Sequence, residues 1–117
     1  MTQKDKQLLL KDLCARLPYR LKFQSYHSEC GIEGKGTFDF EIGDDATLSK
    51  LKDLCESGNN KPYLRSMSNM TEKERKYLQH HINECFVDYC NEHYLDYRGL
   101  IYLGLAFEAP KDMYKIE

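Results

Sequence analysis

Apolar residues recur along this chain with two periods, one near three and a half residues and one of two, and the switches between them predict its elements. Leu9, Leu10, Leu13, Cys14 and Leu17 repeat at three- and four-residue spacing, the stripe of an amphipathic helix of about four turns. Thr2 and Asp5 open it as a capping box, and Pro18 ends it because the residue before a proline avoids helical backbone. Strict alternation follows. Over residues 19–27, Leu21 and Phe23 share one face, with Arg20, Lys22 and Gln24 on the other. Over 37–42, Phe38, Phe40 and Ile42 point inward, and Thr37, Asp39 and Glu41 outward. The glycine-containing residues 28–36 join the two runs as a hairpin loop. Two strands alone are marginal in water, so their apolar face needs a helix against it.

Residues 46–57 fit two templates. One is a short helix capped by Asp44 or Asp45, with Leu48, Leu51, Leu54 and Cys55 on one side and Gly58 as its stop; the other is a third strand. Residues 59–68 read as a connector, with Pro62 breaking any regular element. The strongest signal follows. Thr71 and Glu74 form a capping box, and a helix runs from there to about His93, with Leu78, Ile82, Cys85, Phe86 and Tyr89 in one stripe and Val87 opposite. Asp96 caps a last short helix through Leu103, ended by Gly104. The tail concentrates Leu100, Ile101, Leu103, Leu105 and Phe107 beside Tyr97 and Tyr102. A set that dense is core or a partner surface, and core is the preferred reading. Leu105 and Phe107 alternate as a strand pairing with the hairpin edge would. The sum is one α+β domain over 1–117: a small antiparallel sheet, a hairpin with room for a third strand, packed against the N-terminal helix and a long helix near 71–93.

Composition narrows the class. The 117 residues are 41% apolar and 31% charged, with 3 Pro and 7 Gly, a globular profile. The net charge of −2 hides a polarity: residues 1–27 carry six Lys or Arg against two Asp, and residues 28–60 three Lys against eight acids. A dedicated duplex-DNA binder shows a larger basic excess. The charged N-terminus lacks a signal-peptide core, and the nearly apolar run 100–107 is far short of a membrane span. Five cysteines in irregular spacing, with no export signal, imply free thiols and a cytoplasmic protein.

Motifs of chemistry are thin. Residues 30–37 (CGIEGKGT) fail as a phosphate loop in glycine spacing, in the residue after Lys35, and in the strand that follows. His80, His81, Cys85, Cys90 and His93 spread too far along one helix to hold a single ion. No Cys or His context marks a nucleophile, so no catalytic, cofactor or metal residue is assigned. One surface combination stands out: Arg20, Lys22 and Tyr26 on the first strand, with Lys61, Tyr63 and Arg65 in the connector. Basic residues interleaved with aromatics suit a single-stranded nucleic acid or a protein partner; their plainer reading is tyrosines packed inward and bases left in water.

Residues 8–19 (LLLKDLCARLPY), 61–72 (KPYLRSMSNMTE) and 96–110 (DYRGLIYLGLAFEAP) resemble a family of small uncharacterised proteins of Bacteroides-type gut bacteria and their phages and prophages. The three blocks cover about a third of the chain. Family members commonly have Gly where this chain has Arg20 and Pro where it has Ser66, and Tyr102 and Leu103 replace a polar pair. The resemblance implies a bacterial or phage cytoplasmic setting and supplies no site residue. Together these readings rank a non-enzymatic interaction or regulatory module first, with another protein as partner. Single-stranded nucleic-acid binding follows, and then an enzyme whose site no motif announces.

Overall fold

A computed structural model of the protein describes residues 2–26, 37–43, 45–80 and 86–114. The chain folds as two compact units, Met1–Tyr63 and Leu64–Glu117.

The first unit begins with α1 (Gln3–Arg16). The capping box is formed: Asp5 N–H donates to Thr2 Oγ1, and Thr2 N–H to the Asp5 carboxylate, each at 3.1 Å. The buried face is not the expected stripe. Leu9, Asp12, Leu13 and Arg16 are buried, while Leu10 and Leu17 are only half-buried and Cys14 is exposed. The buried arc is turned by roughly 80° from the one the leucines suggest at helical pitch. That arc carries a buried ion pair. Arg16 Nε and Nη2 donate to Asp12 Oδ2 and Oδ1 at 2.8 and 3.3 Å, and neither side chain reaches solvent.

The hairpin follows as β1 (Leu21–Tyr26) and β2 (Thr37–Ile42), antiparallel, with Leu21 opposite Ile42 and Tyr26 opposite Thr37. Leu21 and Phe23 point inward as the alternation requires, and Phe23 stacks on Phe40 at 5.2 Å between ring centroids. The hairpin loop expected over 28–36 lies outside the described residues.

The ambiguity at 46–57 resolves to helix: α2 (Leu48–Ser57). Its cap is Thr47, whose Oγ1 accepts from Lys50 N–H at 3.2 Å, rather than Asp44 or Asp45; Asp44 itself lies outside the described residues. Gly58 closes it in the left-handed conformation at φ 70°, which only glycine adopts freely. Leu51 and Cys55 are buried and α2 packs on α1, but Leu48 stays 54% exposed.

The connector expectation fails at β3 (Asn60–Leu64), which pairs antiparallel with β1, Pro62 opposite Phe23. Pro62 brings no N–H to the ladder, and its ring is fully buried. The third strand therefore comes from this segment and not from the tail.

In the second unit, β3 contributes Leu64, and Arg65 continues into a parallel bridge with Leu95. A 3-10 turn (Met67–Asn69) leads to α3 (Glu72–His80), followed by α4 (Phe86–Glu92). The expected helix near 71–93 is thus helical over both of these stretches, and residues 81–85 lie outside the described ones. Leu78, Cys90 and Leu95 form one core cluster, with Met67, Met70, Phe86, Tyr89 and Tyr97 packed against it, and Val87 faces out as its position predicts. The short β4 (Phe107–Glu108) lies beside Leu64, whose carbonyl accepts from Ala109 N–H at 2.7 Å. No helix among the described residues is long and apolar enough to cross a membrane.

Candidate functional site

Three features of the second unit bear on function. The first is a polar knot around Glu74, which is 1% exposed. As the third residue past its cap, Glu74 reaches back to Thr71 N–H at 2.8 Å, while Thr71 Oγ1 accepts from Glu74 N–H at 3.2 Å. Arg65, sent inward from the end of β3, donates Nη1 to Glu74 Oε2 at 2.8 Å and Nη2 to Oε1 at 2.7 Å. The same guanidinium bonds the carbonyls of His93 and Asn69. His93 Nδ1 sits 2.8 Å from Glu74 Oε2, and its ring closes a stack with Tyr89 and Tyr77. Burial by itself pushes the Glu74 carboxyl up. The Arg65 and Thr71 hydrogen bonds, the guanidinium charge and His93 outweigh it and hold the carboxyl at about 2. A carboxylate that acidic is a poor proton acceptor near neutral pH. The knot is a clamp that ties Arg65 and His93 to the first turn of α3.

The second feature is an open cleft of about 520 Å³ beside the clamp, lined by Arg65, Asn69, Thr71, Lys111, Asp112 and Tyr114 among others. Its polar groups are largely engaged: Arg65 by Glu74, and the Asn69 amide by Glu108 at 2.8 Å.

The third is the turn at 96–105. Asp96, 7% exposed, accepts Leu100 N–H and Ile101 N–H on its two carboxylate oxygens, each at 2.9 Å. Its own backbone is tied to Arg65, because Asp96 N–H donates to the Arg65 carbonyl at 2.9 Å. Leu103 N–H returns to Gly99, Gly104 N–H to Ile101, and Leu105 N–H to Leu100 at 2.9 Å. Gly99 and Gly104 sit at φ 75° and 77°, the left-handed values that let so short a segment reverse. No regular helix forms here, so the expected last helix becomes a hydrogen-bonded turn. Its feet, Leu100 and Leu105, are buried at 0% and 3% exposure. Its tip is in water: Tyr102 is 93% exposed and Leu103 49%.

The tail residues thus divide. Leu100 and Leu105 are core, Ile101 is half-buried, and Leu103 and Phe107 face solvent. Leu100 and Leu103 do not share a side, because a turn does not keep helical pitch.

The basic and aromatic six are dispersed as well. Tyr63 is buried at 8%, and its hydroxyl donates to Asp39 at 3.1 Å and accepts from Gln24 at 2.9 Å. Burial first, and then the Asp39 bond, raise its pKa. Arg65 is spent on Glu74. Arg20 is exposed but paired with Glu41, and Lys22 and Lys61 are half-buried on the sheet's outer face. The Tyr26 side chain, His81 and Cys85 lie outside the described residues, as do residues 30–36 of the glycine-rich segment. Among the described residues, no group of three or more His, Cys, Asp or Glu could hold a metal ion. Cys14, Cys55 and Cys90 are free thiols.

Sequence reasoning found the Thr71–Glu74 cap but missed that the same carboxylate receives Arg65. Nothing in a nine-residue separation announces that pair. The Asp12–Arg16 pair was missed as well, although opposite charges four apart were a signal that could have found it.

The fold is of the α+β class. A scan against protein-family models finds no match, and comparison with curated proteins and with solved structures returns none either.

Proposed function

We propose that this chain is a small non-enzymatic interaction module that docks another protein through the Tyr102–Leu103 tip. The observation carrying the reading is that Tyr102, 93% exposed, stands on a turn fixed at both ends by buried leucines and by Asp96. An aromatic held out on a pre-ordered backbone loses little freedom on binding. Tyrosine is also among the side chains that carry most of the energy at protein interfaces. A regulatory role would follow from what is docked. The cytoplasm of a Bacteroides-type bacterium, or of one infected by its phage, is the setting proposed on the three resembling blocks.

The test is affinity capture from such a host, with nuclease treatment as a control, comparing the natural chain with a Tyr102→Ala/Leu103→Ser variant. Proteins that survive nuclease and are lost from the variant at unchanged melting temperature support the tip as the contact. Retention of the same proteins by the variant would sink it. Loss of all captured material to nuclease would transfer the function to nucleic-acid binding, where charge reversal at Lys22 and a steep salt dependence become the decisive measurements.

A further inference from the structure

The first unit carries a second contact surface, independent of the tip. We infer that the open edge of β2 accepts an extended, lysine- or arginine-bearing segment of another protein as an added strand.

β2 ends the strand order. In an antiparallel ladder alternate N–H and C=O groups turn away from the partner strand. On the far side of β2 no strand among the described residues receives them. Such edges are ordinarily guarded by shortness, charged side chains, proline or a bulge. Of these β2 carries only charge, the acids Asp39 and Glu41. Thr37–Ile42 is six residues long, contains neither proline nor lysine, and pairs with β1 without interruption from Leu21–Ile42 to Tyr26–Thr37.

Charge selects the occupant. Asp39 and Glu41 are exposed on the outer face of β2. Beneath them β1 is basic: Glu41 stands opposite Lys22 and is joined to Arg20, while Asp39 stands opposite Gln24 and holds the Tyr63 hydroxyl. A strand added on the open side therefore meets an acidic stripe. A second copy of β2 is a poor fit. In each antiparallel register that keeps the apolar faces together over most of the strand, Asp39 or Glu41 of the copy stands opposite an acid already there, and like charges across a ladder destabilise it. A strand alternating Lys or Arg with Val or Ile satisfies both faces, by opposite-charge pairs outside and continuation of the Phe40–Ile42 side inside. Main-chain hydrogen bonds supply the affinity and the alternating side chains the selectivity.

The probes are three labelled hexapeptides: Lys-Val repeated, Glu-Val repeated, and the Lys-Val peptide with its backbone amides N-methylated. Fluorescence anisotropy reads binding, and amide hydrogen exchange reads the β2 backbone. The Lys-Val peptide should bind saturably and slow exchange at β2 amides, while the other two should not bind. The pair Asp39→Asn/Glu41→Gln should weaken it by about two- to thirtyfold, the range expected for two cross-strand charge pairs. If that variant unfolds for want of partners for Arg20 and Tyr63, the N-methylated comparison on the natural chain decides alone. Equal binding by the N-methylated peptide would reduce the effect to charge and overturn strand addition. Equal binding by the Glu-Val peptide, or no saturable binding of any, would overturn it too. The Tyr102→Ala/Leu103→Ser variant should bind the Lys-Val peptide normally, so failure at the tip and failure at the edge are read separately.

Discussion

Replacing Glu74 by Gln removes one charge and almost nothing else. The amide keeps the side chain's length and can still accept from Thr71 N–H, so the helix cap survives. What changes is Arg65, whose side chain is 12% exposed and whose two Nη groups both face Glu74. The folded protein holds the Glu74 carboxyl at about 2 against an ordinary 4.5. A difference of that size is worth about 3 kcal/mol. Water at the open edge of Arg65 trims it to roughly 2–3 kcal/mol, near the low end of what is lost when one member of a buried pair is removed. Glu74 binds protons less readily folded than unfolded. Its stabilisation is therefore complete above the ordinary value of 4.5 and disappears as the pH falls through about 2. Urea denaturation followed by circular dichroism and tyrosine fluorescence is suitable, since the chain has 9 Tyr and no Trp. The gap between the natural chain and Glu74→Gln should be full at pH 7 and close towards pH 2. A gap under about 0.5 kcal/mol at pH 7, or one undiminished at pH 2, would refute the clamp.

Asp12→Ala strands Arg16 in a site with no access to water and should cost about 3–5 kcal/mol by urea denaturation, whereas Asp12→Leu/Arg16→Met should recover most of it. Thiol titration should give all five cysteines after denaturation. In the native state Cys14 should react fast and Cys55 slowly, because burial, aided by the Cys14 and Glu56 charges, pushes the Cys55 thiol up to about 11. The same shift from 9.0 means stability should fall as the pH rises above 9, where only the unfolded chain ionises that thiol. Truncation after Tyr97 deletes Leu100 and Leu105, worth roughly 1.5–3 kcal/mol each, and Tyr114, stacked on Tyr94 at 3.8 Å. Cooperative unfolding of the second unit should be lost, and a truncate that still melts sharply would show the tail to be dispensable.

By itself the sequence determined what is local. Capping boxes at Thr2–Asp5 and Thr71–Glu74, the β2 alternation, the outward Val87 and the stop at Gly58 all follow from residues within a turn or two of one another, where backbone geometry leaves few choices. Tertiary structure decided which of the available groups meet. Pro62 reads as a breaker until β1 pairs with its strand, Phe23 opposite Pro62. The buried face of α1 includes Asp12 and Arg16, paired with each other out of solvent, which a tally of leucines does not show. In the tail, five apolar residues look alike in sequence. In the fold the carboxylate of Asp96 grips two backbone N–H groups, Leu100 and Leu105 are buried, and Tyr102 and Leu103 stay in water. The free energy of each such choice belongs to a pair of groups, and a one-dimensional pattern names the groups without saying which of them meet.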